Sequence, residues 1–384
     1  MAKRAGGIAK KADSSNKLQM QIDERRKEIH TDGYSMSIGE IQNLYLDGDL
    51  DIHPEFQRFF RWNIQQKSRW IESILLGIPL PSVFVSQQQD GKWDVVDGLQ
   101  RLSTILEFMG ILRDEERKLL PPLVLEGATY LKALDKKKWS DPHDPENSLT
   151  AEQQRYVKRA KIDIKIILRQ SHESAQYELF QRLNSGGSGL TAQELRNCML
   201  VSINRDVFYW LASLTKHEPF QRCISLPEKL YKEAYDMELA LRFILLRRIP
   251  LKDLPPYGTP LGEFLTEKMV EMASSPRLDR KEEEAAFKGV FDLLDTALES
   301  DSFRKFDQRK GRFTGGFSVS AFEVIGLGIG WDSAQFLRTH TPDEVAALVK
   351  SEVWSDTSFL TSTGLAAASR LPKTLERGRS IFGE

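Results

Sequence analysis

"VVDGLQRLSTILEFM", residues Val95 to Met109, opens as a buried strand and closes as an amphipathic helix. Between the two stand Asp97, Gly98, Gln100 and Arg101. Gly98 relieves the backbone where a strand ends abruptly and a helix begins. The first N–H groups of that helix lack internal partners and lie at the positive end of its dipole, which suits an anion. Arg101 adds a forked cation matched to phosphate. Asp97 can hold Mg²⁺, orient an arginine or accept a proton, and Gln100 can position a water or a phosphate oxygen. At about 100° per residue, Leu102, Ile105, Leu106 and Met109 form one apolar face with Leu99 at its edge. Gln100, Thr104 and Glu107 fall opposite, with Arg101 toward the other border, so Gln100 and Arg101 are expected to face a cleft. The plainer reading is a helix start with two surface residues. Gln-Arg recurs six times in this chain, so the dipeptide alone carries no information.

Outward from this turn the chain changes character. On its N-terminal side, "SVFVSQQQDGKWDVVDG" places two β-rich runs around Asp90–Gly91, a hairpin signal. "IQQKSRWIESILLGI" reads as a helix ending at Gly77, and "MSIGEIQNLYLDGDL" as another. "IHPEFQRFFRWN", with Gln57, Arg58, Arg61 and Trp62, reads as an extended loop. On the C-terminal side, "DKKKWSDPHDPENSLT" is polar and aperiodic and reads as a mobile loop. "IDIKIIL" alternates Ile162, Ile164 and Ile166, a further strand. "AQYELFQRLN" is a helix stopped by "SGGSG", and Thr191 with Glu194 forms a capping box for the next. Helices are then expected over 205–216, 228–249, 261–273, 282–300, 318–330 and 343–352. The fold class is therefore α+β, a small mixed sheet with helices followed by an all-α half. The expected divisions are 1–33 (a basic flexible tail and lead-in helix), 34–200 and 201–384.

Bulk composition narrows the function classes. The chain has 384 residues, 40% of them hydrophobic and 28% charged, with a formal net charge of −1, so no global field draws it to nucleic acid. Residues 1–30 hold eight Lys/Arg against four acids, which reads as a solubilising terminus or a phosphate-contacting arm. Cys198 and Cys223 have no C-x-x-C partner and read as buried fillers, not as a disulfide or zinc site. No N-terminal apolar segment follows the basic residues, as a signal peptide would require, and no uninterrupted apolar run approaches the length of a bilayer span, so a cytoplasmic protein with no membrane partner is expected.

"DGLQR" resembles the D-G-Q-Q-R motif of the GmrSD-type restriction-protein N-terminal family, within the ParB/sulfiredoxin superfamily. The resemblance extends to "HPEFQRFFRWNIQQKSRWIESILLGIPLPSVFV", which is similar to that family's opening segment. It extends also to "LFQRLNSGGSGLTAQELRN", similar to its second signature, and in style to "MELALRFILLRR" and "TLERGRSIFGE". It covers roughly residues 35–384. The resemblance implies a ParB/sulfiredoxin-like domain that binds, and often hydrolyses, a nucleoside triphosphate with Mg²⁺. It also implies a role in bacterial defence against phage, where modified DNA is sensed or cut. Carried over by position, Asp97, Gly98, Gln100 and Arg101 form the nucleotide motif, with Asp97 the candidate Mg²⁺ ligand and Asp97, Gln100 and Arg101 the catalytic candidates. Gln57 and Arg58 line the same cleft, and Arg182 and Asn184 approach from the R-L-N helix. Leu99 stands where the family has Gln, which puts hydrolysis in more doubt than binding. The six histidines are scattered without an H-x-x-H or His–Asn pair, so no HNH-type nuclease site is expected.

Three functions compete on this reading. The first is a nucleotide-dependent regulator or sensor, a candidate nucleoside triphosphatase, of a restriction or anti-phage system. The second is a non-catalytic DNA-binding or scaffold module that works with a separate nuclease or defence protein. For that module the basic runs Lys3–Lys11 and Arg304–Arg312 and the aromatics Phe56, Phe59, Phe60 and Trp62 are the candidate contacts. The third is a phosphotransferase. Base preference, trigger and homo-oligomeric state are open.

Overall fold

The alternation Ile162, Ile164, Ile166 buries one side of a strand, and that strand sits inside a five-stranded mixed sheet. In the computed structural model, Gln19 and residues 30–52, 62–114, 116–169, 191–255, 259–355 and 367–383 are described. The chain forms two units, Met1–Leu190 and Thr191–Glu384.

The first unit runs β1 (Thr31–Ser37), α1 (Ile38–Asp47), β2 (Leu50–Asp51), α2 (Ile64–Leu75), β3 (Val83–Gln87), β4 (Trp93–Asp97), α3 (Leu99–Phe108), α4 (Ala151–Arg159) and β5 (Lys161–Ile167). The sheet order is β1-β5-β3-β4-β2. β3 and β4 form the expected antiparallel hairpin, with Gly91 at φ 90° in its turn. β5 pairs parallel to β3 and antiparallel to β1, and β2 runs parallel to β4. Strand β1 corrects the reading of residues up to 33 as tail and helix. Its sequence, TDGYSMS, has no apolar alternation, and only Met36 is buried. β1 is a strand because it lies at the sheet edge and pairs with β5 from Thr31↔Ile167 to Ser37↔Lys161. Apart from Gln19, which is helical, the basic tail lies outside the described residues.

Helix α2 lies against α3. Its face carries Trp70, Ile71 and Ile74, all buried, and Asn63 caps it through a capping box with Gln66. The polar stretch expected as a mobile loop is stitched down instead. Lys136 N–H donates to the Leu125 carbonyl at 2.8 Å, Leu125 N–H donates to the Lys137 carbonyl at 2.9 Å, and Trp139 packs edge-on against Phe108 of α3 with 5.8 Å between centroids. Lys138 bridges Asp141 and Asp144, and Leu149 N–H returns to the Lys138 carbonyl. These partners sit on α3, just before the insertion or within it, so no local periodicity announces them.

Among the described residues, the regular elements of the second unit are helices and one hairpin. Its elements are α5 (Ala192–Ile203), α6 (Arg205–Thr215), α7 (Glu218–Ile224), α8 (Glu228–Lys232), α9 (Tyr235–Leu246), α10 (Leu261–Ser274), α11 (Arg280–Leu298) and the strands β6 (Lys305–Asp307) and β7 (Arg312–Thr314). After the hairpin come α12 (Val319–Ala321), a π segment (Phe322–Gly326), α13 (Leu327–Trp331), α14 (Ser333–Thr339), α15 (Pro342–Leu348), a π turn (Val349–Val353) and α16 (Ala367–Phe382). Thr191 caps α5 through the expected box with Glu194. The helix expected over 228–249 is broken, because buried Ala234 adopts a left-handed φ of 55° between α8 and α9. The core is aromatic: Phe220, Phe243, Phe287, Phe291, Phe303 and Phe322 are fully buried, and Phe287 and Phe291 lie 4.6 Å apart between centroids.

The same core contains a chain of paired charges. Arg196 and Arg242 both bond Glu238 at 2.6 Å. Arg242 and Arg370 reach fully buried Glu323 in the π segment at 3.3 and 2.9 Å, and the Thr374 hydroxyl donates to it at 2.9 Å. A buried carboxylate is tolerated only with such partners.

Candidate functional site

Strand β4 ends on Asp97, the chain turns through Gly98 at φ 99° and ψ 10°, and α3 starts at Leu99. Only glycine fits this position. A Cβ at residue 98 would stand 2.7 Å from Val83 Cγ2, and Val83 is fully buried in the neighbouring strand. With glycine as its cap, α3 receives no side-chain cap hydrogen bond, whereas α2 and α4 of the same unit are closed by Asn63 and Thr150 boxes. The positive end of α3 is therefore left to groups other than a capping side chain.

The expected apolar face of α3 is as read: Leu99, Leu102, Ile105, Leu106 and Met109 are all buried. The opposite face is less open than the projection implies. Thr104 is buried and donates to the Gln100 carbonyl, and Glu107 pairs with Lys67 of α2 at 2.5 Å. Trp70 Nε1 of α2 donates to the Arg101 carbonyl at 3.1 Å.

Asp97, Gly98, Gln100 and Arg101 meet at this one turn. Arg101 Nη2 donates to Asp97 Oδ2 at 2.7 Å, and Nη1 donates to the Ser82 carbonyl at 2.7 Å. The guanidinium is 12% exposed and the carboxylate 20%, so the pair is partly shielded and its geometry is held from both ends. Of the three roles open to Asp97 in the sequence, orienting an arginine is the one this geometry realises. Arg101 is consequently not a bare cation. The pair is neutral as a unit, and only the remaining guanidinium N–H groups can serve a ligand. Gln100 Oε1 accepts from the Trp62 backbone N–H at 2.9 Å, and the Trp62 ring packs edge-on against Trp70 with 6.0 Å between centroids. Gln100 thus ties the entry of α2 to the turn, a contact with which any bound water must share the amide oxygen.

Gln57, Arg58, Arg182 and Asn184, expected along the same cleft, lie outside the described residues, as do Phe56, Phe59 and Phe60. Three contributors escaped sequence reading: the Ser82 carbonyl, the Trp62 amide and the Trp70 indole N–H. Trp70 reads as one member of an apolar stripe, and its polar edge becomes a contact only when α2 lands on α3. Among the described residues no group of three or more His, Cys, Asp or Glu that could hold an ion occurs, and one oxygen of Asp97 is bonded by Arg101.

Residues 38–201 match the family model of the GmrSD restriction endonuclease, N-terminal domain. Over that stretch the chain is similar to a GmrSD-type N-terminal domain. No curated protein and no solved structure matches the chain. The match to the GmrSD N-terminal domain spans α1 through most of α5, and so takes in both the strand-to-helix turn and the E-L-R-N helix. In that helix the signature residues are structural. Arg196 is 1% exposed and bonded to Gln193 and Glu238, and Asn197 is fully buried, donating to Met237 Sδ at 3.4 Å. Glu238 and Arg242 belong to "MELALR", so two stretches that resemble the family in sequence meet here as one buried ion network. Cys198 and Cys223 are buried fillers as expected, each thiol pushed up to about 12 by burial. Among the described residues no helix is long and apolar enough to cross a membrane.

Proposed function

We propose that the turn Asp97–Arg101 of this GmrSD-type domain binds the phosphates of a nucleoside triphosphate, and that the protein is a nucleotide-dependent regulator or sensor in a restriction or anti-phage system. What supports this is the convergence, at one uncapped helix start, of every residue of the D-G-L-Q-R motif, inside a domain family named for a restriction endonuclease. The α3 amides receive phosphate oxygens, and Arg101 contributes the N–H groups that Asp97 and Ser82 leave uncommitted. Because the Asp97–Arg101 pair is neutral, the further positive charge a triphosphate needs is assigned to Arg58 and Arg182. Mg²⁺ is proposed to accompany the nucleotide as its counterion. Hydrolysis in the cytoplasm, with Gln100 aligning water, is the candidate activity, and modified or phage DNA or a separate nuclease is the candidate downstream partner.

The test is a thermal-shift titration of the full chain with each of the four ribonucleoside triphosphates and Mg²⁺, run beside phosphate release. A ligand at about a hundred times its Kd stabilises the folded state by about 2.7 kcal/mol. Wild type is expected to shift with at least one nucleotide, and Arg101→Lys, which keeps the charge but loses the fork, is expected to shift less. Asp97→Asn separates the roles of the carboxylate. If Asp97 only orients and neutralises Arg101, the variant binds more tightly. If it takes part in chemistry, binding persists while release falls. Equal shifts and equal release in wild type and Arg101→Lys would remove the assignment.

A further inference from the structure

We propose that the β6–β7 hairpin of the second unit is a docking surface for the phosphate backbone of duplex DNA. This surface lies outside the 38–201 family match and is independent of the nucleotide reading.

Residues 304–312 carry five cations, Arg304, Lys305, Arg309, Lys310 and Arg312, against the single acid Asp307, in a chain whose net charge is −1. The fold turns this run into a rigid ribbon. β6 and β7 pair antiparallel as Lys305↔Thr314, Phe306↔Phe313 and Asp307↔Arg312. Side chains alternate across a strand, so the two phenylalanines, 5.0 Å apart, take one face. Lys305 and Arg312 fall on the other. The turn is fixed by Asp307, whose carboxylate accepts from the Arg309 and Lys310 N–H groups at 3.0 and 3.1 Å, and by Gly311 at φ 61°. Arg304 locks the base through Asp301 and the Gly315 carbonyl, and the Gln308 side chain pins the tip to the Lys350 carbonyl. Lys305, Arg309 and Arg312 are exposed and form no ion pair with any described residue, and Lys310 meets Asp307 only at 3.5 Å while 60% exposed.

This arrangement fits a polyanion of regular spacing. Three residue pairs span about 10 Å, a length over which a duplex presents a charge about every 1.7 Å. A two-stranded ribbon is also one of the elements that a major groove admits. The tip, Gln308-Arg309-Lys310-Gly311, has no apolar side chain to enter a bilayer, which disfavours a lipid surface.

Fluorescence anisotropy of the full chain with a short labelled duplex, between about 50 and 200 mM salt, tests this. Each phosphate contact contributes about 0.9 to the slope of log K against log salt. The variant R309A/K310A/R312A is expected to lower that slope by about 2.7 and to bind at least about tenfold more weakly. The equally discharged control K216A/K252A/K281A is expected to match wild type. Unchanged circular dichroism and Tm in both variants confirm that folding is intact. Absence of binding at low salt, an unchanged slope in the hairpin variant, or equal losses in the two variants would overturn the proposal. So would loss of binding to anionic vesicles with DNA binding intact.

Discussion

Replacing Gly98 with alanine tests the steric reasoning that places the D-G-L-Q-R turn. Two costs add. A side chain in the left-handed region costs roughly 1–2 kcal/mol. The new methyl also meets Val83 Cγ2 at 2.7 Å, and because Val83 is fully buried it has no room to withdraw. Overpacking of that kind costs about 1–3 kcal/mol. Gly98→Ala should therefore destabilise the first unit by about 2–5 kcal/mol. Gly91 supplies the control. It lies in the same unit at φ 90° with nothing within 4 Å of its absent Cβ, so Gly91→Ala should cost only the conformational part, about 1–2 kcal/mol. Equilibrium urea unfolding of both variants measures the difference. Repeating Gly98→Ala in a Val83→Ala background isolates the clash as a coupling energy, because the shortened side chain leaves room for the methyl. Equal losses at residues 98 and 91, or no relief in the Val83→Ala background, would show that the turn is not built as argued.

Two further outcomes follow from charges buried in the second unit. Glu323→Gln leaves Arg242 and Arg370 without their shared carboxylate, and should cost about 3–5 kcal/mol in denaturant unfolding; a loss under about 1 kcal/mol would mean that the network is not stabilising. The Asp236 carboxyl is raised from 3.8 to about 6 by burial. The native state therefore keeps a proton that the unfolded chain has already released, and stability falls as pH rises from about 4 to about 6 and stays lower above that. Asp236→Asn should gain up to about 3 kcal/mol over wild type at pH 7 and lose the advantage near pH 4. Parallel stability–pH profiles for the two proteins would refute that assignment.

Much of this fold was readable because it is periodic. The period-two isoleucines of β5, the Asp90–Gly91 turn between β3 and β4, and the apolar stripe of α3 are local patterns that burial simply completes. The Thr191–Glu194 box likewise acts across three residues of one chain segment. Strand β1 lacked any such pattern, since an edge strand is defined by the N–H and C=O groups of its neighbour. The insertion over 135–150 read as loose for the same reason: its outside anchors, the Leu125 backbone and the Phe108 ring, are contacts that no period in its own sequence announces.

The candidate site divides along the same line. Sequence alone determined that Asp97, Gly98, Gln100 and Arg101 share a strand-to-helix turn, because the change from period two to period 3.6 falls between them and only glycine bridges it cheaply. The tertiary structure decided what those residues touch. It spent part of Arg101 on Asp97 and the Ser82 carbonyl, turned Gln100 toward Trp62, and laid α2 over the polar edge of α3. Backbone periodicity is a property of neighbours in the chain, whereas a hydrogen bond depends on which distant groups packing brings within about 3 Å.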